Sequence, residues 1–374
     1  MREGTIFSRN IKFIVISGIG GFLLSLTGMS IGWMIGTLLV AAFFSFRRPP
    51  WLTLPGKQKG LNPYFLRIGQ CILGIELGQK INLSIVHIFK EDWLIIIVIL
   101  LLSILFSVLS GFVLWKFSRT DMLTSFFGTA PGGLSAMPGI AEEVGANTAV
   151  VSIIQTMRVF LVVLTIPLIA STLIASPAGH TSSAATGIPA FELSHILWTI
   201  VLAFVACGGA FIGKRLKFPA PWLVGGMASV AIVQSVSSSI VGHDIVSWWP
   251  HSVIVVAQIL MGSSIGSRFH KNMLAGLRKT LVVALLGTLG LIAAMLGCAF
   301  IVSKLTGITF VTAALAFAPG GVAEMATMSV VLHADSTLVV AVQVIRIISV
   351  CIILPPLFTL IHHYGTRKGM GSHA

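Results

Sequence analysis

The chain has 374 residues, of which 56% are hydrophobic and 9% are charged, and its mean hydropathy is +0.99. A soluble domain carries about 25% charged residues, so little polar sequence remains to cover a soluble surface. This composition predicts a membrane protein with many spans. The formal net charge is +13. Its Lys and Arg residues sit in short loops between apolar segments, which favours membrane orientation over a nucleic-acid-binding surface.

Twelve apolar segments follow one another, and all are predicted to be helices because open sheet cannot sit in lipid. They cover 11–26, 30–46, 64–79, 92–116, 122–143, 147–171, 194–213, 219–239, 251–267, 280–303, 309–332 and 336–362. The first resembles a signal peptide but is interpreted as an uncleaved span. The interruption at 171–194, rich in Ser, Ala, Thr and Gly and without Lys or Arg, is predicted to be a linker between two halves.

The second half of the chain repeats the first, mostly at a shift of 188 residues. The stretch TAPGGLSAMPGIAEEVGANTAVVSIIQTMRV at 129–159 returns as FAPGGVAEMATMSVVLHADSTLVVAVQVIRI at 317–347. Further matches are Gly20-Gly21 with Gly208-Gly209, Gly74 and Gly78 with Gly262 and Gly266, and, at 189, Trp33 with Trp222. We therefore predict two membrane repeats, at 1–180 and 181–374.

Loop charges predict that these repeats are inverted. The loop between the first two segments has no Lys or Arg, whereas its counterpart in the second half holds Lys214, Arg215 and Lys217. The next loop of each half shows the opposite bias. Because Lys and Arg concentrate in cytoplasmic loops, equivalent loops lie on opposite sides, as in the inverted repeats of secondary transporters. Inversion requires that one segment in each half fails to cross the membrane.

The Pro-Gly-Gly segments 122–143 and 309–332 are predicted to be those that fail to cross. Proline removes a backbone donor and two glycines follow it, so a helix breaks there. The expected fold is all-α, with about five transmembrane helices and one re-entrant PGG hairpin per repeat. With the N-terminus inside, the cytoplasmic side holds 19 of the 24 Lys and Arg residues, and the outside holds Lys80, Lys90 and Lys304. This predicts a bacterial inner-membrane protein with both termini cytoplasmic.

The candidate site combines the PGG turns with two polar helix faces. Re-entrant turns expose backbone groups at membrane depth, which is tolerable where they line a cavity or bind something. An arginine in mid-span costs about 2.5–3.5 kcal/mol on insertion scales, and in each half a glutamine precedes it by one helical turn. The candidate substrate-binding residues are Pro131, Gly132, Gly133, Gln155, Arg158, Pro319, Gly320, Gly321, Glu324, Gln343 and Arg346.

Several interpretations of these residues stay open. Each arginine contacts an anionic solute or steadies hairpin carbonyls, or it pairs with an acidic neighbour such as Glu324. That glutamate, replaced by Ala136 in the first half, either carries a coupling proton or neutralises Arg346. We therefore expect the arginines to have diverged, with Arg158 left free for the solute. The PGG turns have the alternative of being simple kinks between packed helices.

Other residue types carry no catalytic chemistry in this sequence. Glu76 is expected to reach outward from its span, and Gly-x-x-x-Gly pairs to allow close helix packing. The four cysteines are scattered without a CxxC and are interpreted as buried apolar residues. No HExxH pair occurs, and GIGG at 18–21 lacks the Lys-Ser/Thr of a P-loop. We predict no metal, no cofactor, no ATP drive and no catalytic residue.

The paired motifs resemble those of the AbrB family of bacterial inner-membrane proteins. They are Ala130–Gly133 with Met137, Ala318–Gly321 with Met325, and the pairs Gln155/Arg158 and Gln343/Arg346. Members carry labels such as regulator of aidB expression and ammonia monooxygenase, so the resemblance implies a membrane protein tied by name to gene regulation. No helix-turn-helix or soluble DNA-binding part occurs in this sequence, so regulation would be indirect.

Secondary transport is the function that the sequence favours. The expected substrate is a small polar or anionic solute, coupled to H⁺ or Na⁺, and the site would be formed by the PGG hairpins and the Gln-x-x-Arg helices. The first alternative is a membrane-embedded regulator or sensor that binds without moving solute; a membrane monooxygenase is less favoured. The expected partners are the solute and the lipid bilayer, without nucleic acid, and a homo-oligomer is left open.

Overall fold

The computed structural model describes residues 2–29, 31–47, 49, 60–81, 84–118, 120–131, 136–174, 193–241, 248–269, 277–350 and 352–353. In these ranges the regular structure is helical throughout. The first seven helices are α1 Arg2–Ser25, α2 Gly32–Arg47, α3 Pro63–Lys80, α4 Ser84–Phe117, α5 Met122–Thr129, α6 Ala136–Glu143 and α7 Thr148–Ile174. The others are α8 Leu193–Arg215, α9 Pro221–Val241, α10 His251–Gly266, α11 Arg278–Thr306, α12 Phe310–Phe317, α13 Val322–Val331 and α14 Ser336–Val350.

Five of these helices are long and apolar enough to cross a membrane. The qualifying stretches are Phe7–Ser25, Ile96–Phe117, Thr148–Ala170, His195–Arg215 and Arg278–Thr306. The all-helical prediction is confirmed for the described residues. Each PGG segment contains two short helices instead of one, because α5 and α12 end before Pro131 and Pro319 and the next helices begin beyond the glycines. Most of the predicted linker and the C-terminal 354–374 lie outside the described residues.

Two compact units make up the fold, and each draws on both sequence halves. The first consists of Met1–Ile88, Pro167–His270 and Ala326–Thr337, and so contains α1–α3 and α8–α10. The second consists of Phe89–Ile166, Lys271–Met325 and Leu338–Ala374. Most of α4, α7 and α14 belongs to the second unit, together with α5, α6, α11 and α12. Both Pro-Gly-Gly sequences and both Gln-x-x-Arg pairs therefore lie in the second unit, whereas the last part of the second PGG segment, from Ala326 onward, belongs to the first unit.

Helices α3 and α10 of the first unit each pack on the other half of the chain. Helix α3 lies on α9, and α10 lies on α2. A Cβ added at Gly74 would come within 2.9 Å of the Leu223 carbonyl oxygen, and one at Gly262 within 2.7 Å of the Met34 carbonyl oxygen. Side chains cannot approach a backbone so closely, so glycine lets the helices touch. The predicted close packing of the Gly-x-x-x-Gly faces is confirmed.

The contacts of α1 with α2 recur between α8 and α9, at a shift of 189 residues. A Cβ at Gly20 would lie 2.8 Å from the Gly36 carbonyl oxygen, and one at Gly209 would lie 2.4 Å from the Gly225 carbonyl oxygen. A Cβ at Gly208 would meet nothing within 4 Å. Matching Gly20 with Gly208 is therefore wrong by one residue. The extra residue of the first half falls between α2 and α3, where the shift changes to 188.

In the second unit, equivalent polar residues begin the two short helices that precede the PGG turns. The Asp121 side chain accepts from the Thr124 N–H at 2.9 Å, and the Thr309 hydroxyl accepts from the Thr312 N–H at 3.3 Å. Such N-caps satisfy amide groups that the first helical turn leaves without intrahelical partners. At the other end, α5 and α12 stop before Pro131 and Pro319, so the carbonyls of each last turn need partners from elsewhere.

Candidate functional site

The last carbonyls of α5 are held by Gln155 and Arg158 of α7. The Gln155 amide donates to the Phe127 and Ala130 oxygens at 2.9 and 2.7 Å. The Arg158 Nη1 donates to the Thr129 and Ala130 oxygens at 2.8 and 2.9 Å, and its Nη2 donates to the Gln155 side-chain oxygen at 2.6 Å. The two side chains thus form one buried unit that caps the C-terminal end of a short helix.

The same arrangement holds the end of α12. The Gln343 amide donates to the Leu315 and Ala318 oxygens at 2.8 and 3.2 Å. Arg346 donates to the Ala318 oxygen, to the Gly320 oxygen at 2.9 Å, and to the Gln343 side chain. Leu315 and Ala318 match Phe127 and Ala130 of the first half at the shift of 188, whereas Gly320 corresponds to Gly132, which lies outside the described residues. The Gln-x-x-Arg spacing therefore serves the same local purpose in both halves.

Both Gln-x-x-Arg pairs stabilise a helix that ends among apolar residues, and they do so in two ways. The last four carbonyls of a helix have no intrahelical partner, and a buried group without a partner costs about 1–3 kcal/mol. The C-terminal end also carries about half a negative charge, which a cation stabilises. Arg158 is 2% exposed and Arg346 is 1% exposed, so neither charge is relieved by solvent. Steadying the hairpin carbonyls is the role that the hydrogen bonds support directly.

The two broken segments meet at one closed site. Pro131 follows α5 and Pro319 follows α12, and both line the same small space with Arg346. The remaining lining residues are Ser103, Leu291, Met295 and Phe317. These side chains leave no cavity large enough for a water molecule between them. Arg158 lies beside this space, because its guanidinium bonds to the Ala130 oxygen directly before Pro131. One buried site therefore gathers equivalent residues from both halves.

Comparison with known proteins agrees with the two motifs. The family model described as "Transition state regulatory protein AbrB" matches residues 33–362. The chain belongs to the AbrB family. It is 53% identical over 375 residues to "Uncharacterized protein YhjN" of Bacillus subtilis (strain 168), covering 98% of this chain and 97% of that protein. It is 29% identical over 335 residues to "Putative regulator AbrB" of Escherichia coli (strain K12), covering 90% and 91%.

Glu324 of this AbrB-family chain lies directly over the second PGG turn. A Cβ at Gly321 would be 2.0 Å from the Glu324 Oε2 atom, so only glycine leaves room for the carboxylate there. A Cβ at Gly320 would meet the Met325 methyl at 2.8 Å and a Val162 methyl at 3.1 Å. Glu324 is buried. The second turn is therefore packed tightly on both of its glycines.

The hydrogen bonds correct one expectation about the arginines. Among the described residues, Arg346 donates to the carbonyl oxygens at the end of α12 and to the Gln343 side chain. Arg158 binds the equivalent carbonyls, so the two arginines have not diverged in their α5 and α12 contacts. The divergence was expected because Glu324 of the second half corresponds to Ala136 of the first, but this difference does not alter the hydrogen bonds to the carbonyls.

The structure also bears on residues outside the Gln-x-x-Arg pairs. Gly132 and Gly133 lie outside the described residues. Glu76 is 8% exposed and pairs at 2.6 Å with the half-exposed Lys80, one helical turn nearer the end of α3. The sequence did not identify Ser107, whose hydroxyl donates to the Thr129 oxygen at 3.2 Å. A serine within an apolar span gave no signal, because such serines commonly bond to their own helix.

Proposed function

We propose that this AbrB-family protein is a secondary transporter of a small polar or anionic solute, coupled to H⁺ or Na⁺. The observation that carries the proposal is the meeting of two broken segments, one from each half, at a buried site lined by Pro131, Pro319 and Arg346. Broken helices at a repeat interface are how many transporters expose backbone groups to a solute at membrane depth. The proposal assigns no catalysed reaction and no cofactor to the chain.

The proposed topology has ten spans and two re-entrant hairpins. Support comes from how α7 lies beside α5. The Asn147 N–H, just before α7, bonds to the Thr124 hydroxyl near the start of α5, and Gln155 bonds to Phe127 further along both helices. The two helices therefore advance in the same direction, and α6 must bring the chain back between them. A chain that returns to its entry level does not cross the membrane.

The repeats at 1–180 and 181–374 are proposed to be inverted, in an inner membrane with both termini cytoplasmic. Contacts of the kind that Gly74 makes on α9 and Gly262 makes on α2 are reciprocal. Reciprocal contacts of this kind are expected from a two-fold relationship between equivalent elements. The reversed charge of equivalent loops, such as the basic loop at Lys214–Lys217, supports an axis in the membrane plane,.

The closed site suggests how transport would proceed. In this state no water-sized space remains beside Arg346, so a solute can enter only after the lining separates on one side. Movement that opens the site alternately to each side is the expected cycle of an inverted-repeat transporter. Glu324, buried against the Gly321 turn, is the carboxylate that we assign to the coupling ion. Protonation or Na⁺ binding there would neutralise its charge during the cycle.

A regulatory or sensory protein is the alternative, suggested by the name "Putative regulator AbrB" of the Escherichia coli relative. The same buried site would then bind a solute without carrying it across. Both functions predict binding, and only transport predicts accumulation against a gradient. The two can therefore be separated by measuring binding and flux on the same preparation.

The test is uptake into proteoliposomes that contain the purified protein. We expect accumulation of at least one member of a panel of labelled carboxylates, inorganic phosphate, amino acids, sugars and ammonium, and collapse of that accumulation by a protonophore or a Na⁺ ionophore. The Gly208→Ala variant, which adds a methyl group in open space, is the control variant and should take up solute as the wild-type protein does. Binding by a solute of the panel without flux in either direction would favour the sensor. If no solute of the panel is bound or transported, both functions are contradicted.

A further inference from the structure

We infer that the solute is a small oxyanion, bound by the Nε–H groups of Arg158 and Arg346. This inference rests on the proposed function and narrows its substrate class. In both arginines the Nη atoms are engaged with carbonyls and glutamine, whereas the buried Nε–H has no hydrogen-bond partner among the described residues. The same atom is left over in both halves, although the surrounding residues differ. A buried, charged donor that lacks a partner in both halves indicates a binding position for a hydrogen-bond acceptor.

Charge also favours an anion at this site. The two arginines contribute two positive charges, and their hydrogen-bond partners are all neutral. The C-terminal ends of α5 and α12 together supply about one negative charge, and the N-terminal end of α13 offsets about half of it. Even with Glu324 ionised, the balance stays positive, which favours an anion.

The residues that line the site favour an oxyanion over other anions. Its lining combines the guanidinium of Arg346 with Pro131, Pro319 and apolar side chains. The Ser103 hydroxyl, which also lines it, already donates to the Leu100 oxygen at 2.8 Å. An oxyanion offers several acceptor oxygens to guanidinium donors, which bind carboxylate and phosphate through charge-assisted bonds. Carboxylates and inorganic phosphate share this chemistry, and the experiment distinguishes them.

The experiment measures thermal stability and flux of the purified full-length protein. Acetate, succinate and inorganic phosphate are titrated as sodium salts, with sodium chloride at equal ionic strength and with glucose and ammonium as non-anionic controls. We expect at least one oxyanion to raise the melting temperature by several degrees and the controls to leave it unchanged. The effective oxyanion identifies the source as carboxylate or phosphate. Equal melting temperatures in all oxyanions and in sodium chloride would overturn the inference.

Arg158→Lys keeps the charge and removes the Nε–H of a guanidinium. We expect it to weaken oxyanion binding by about tenfold or more, since a hydrogen bond to a charged group is lost. Because this variant also changes the α5 contacts, competition in the wild-type protein gives a second measurement. Oxyanions should inhibit uptake of any labelled solute. Uptake of a neutral or cationic solute that oxyanions do not inhibit would overturn the inference and leave the proposed transport function intact. Oxyanion binding without flux would support the inference and contradict the transport function.

Discussion

The sulfur atoms of Cys71 on α3 and Cys207 on α8 lie 4.0 Å apart. These residues belong to different halves of the sequence, and the contact exists because α3 packs against α8 and α9 and not against its own half alone. Their surroundings are apolar, including Ile75, Leu202 and Val230. The pair therefore reports directly on the packing of α3, from the first half of the sequence, against α8 and α9 of the second half.

We expect mild oxidation to link these two cysteines. With a protease site inserted at Ser182 in the predicted linker 171–194, copper-phenanthroline treatment should hold the two fragments together on a non-reducing gel. Cys71→Ser should abolish the link, and Cys298→Ser should leave it unchanged. Fragments that separate after oxidation of the wild-type protein would contradict the packing of α3 on α8.

Two adjacent glycines of α8 should respond oppositely to alanine. Gly209→Ala places a methyl group 2.4 Å from the Gly225 carbonyl oxygen and 2.2 Å from the Ser229 hydroxyl. The helices must separate, at a cost of about 1–3 kcal/mol. Gly208→Ala meets open space and should be neutral, or stabilising by up to about 1 kcal/mol through helix propensity. Thermal melts of the two variants check this, and equal melting temperatures would contradict the α8–α9 contact.

The sequence predicted the helices and the burial of the repeated Gln-x-x-Arg face, because periodic apolar runs and a costly buried charge are local signals. It left open whether Arg346 bonds to carbonyls or to Glu324, since carbonyl acceptors at the end of a helix 28 residues away are common to every sequence. The Cys71–Cys207 contact was also missed. It depends on the packing of α3 against helices of the other half, and neither the composition nor the spacing of residues reveals that packing.

Both ends of the first PGG hairpin should be accessible from the cytoplasm. A cysteine at Glu142, which is exposed in the last turn of α6, should react with an impermeant thiol reagent in inside-out vesicles, as should one at Lys57. A cysteine at Ser182 in the predicted external linker should react only in right-side-out cells. Labelling of the Glu142 position from outside would mean that α5 and α6 cross the membrane, and labelling of Lys57 from outside would contradict the inverted repeats.

Substitution at Gly321 should act through Glu324. Gly321→Ala brings a methyl group onto the position of the Glu324 carboxylate, so the carboxylate must move and ion coupling should fail. We expect uptake to fall at least about tenfold, and the double variant Gly321→Ala/Glu324→Ala to recover the wild-type melting temperature without recovering coupled uptake, because alanine stands at the equivalent position of the first half. Full coupled uptake by Gly321→Ala would remove Glu324 from the coupling role.

The bulkier change Gly320→Val should also insert normally and lose transport. Its side chain would press on Met325 and Val162, which already approach the glycine closely. Gly290→Ala in α11, where nothing lies within 4 Å of the added methyl group, is the matched control for expression and melting. Wild-type uptake by Gly320→Val would show that the second PGG turn does not form the solute site. The first turn's Gly132→Val should give the same loss by the repeat, in residues that the structure does not describe.

Arg158→Gln and Arg346→Gln should destabilise the protein to a similar extent. Each change removes equivalent hydrogen bonds to the carbonyls of a short helix, and bonds to charged groups contribute about 1.5–3 kcal/mol each. Adding Glu324→Gln to Arg346→Gln distinguishes the two interpretations of that arginine. If carbonyls alone hold it, the second change should restore nothing, whereas breaking an ion pair leaves a lone buried charge whose removal restores stability. Thermal melts of the two single variants and the double variant check this. Recovery in the double variant would establish that Glu324 and Arg346 act as a pair, and a stable Arg158→Gln would mean that the carbonyl caps contribute little.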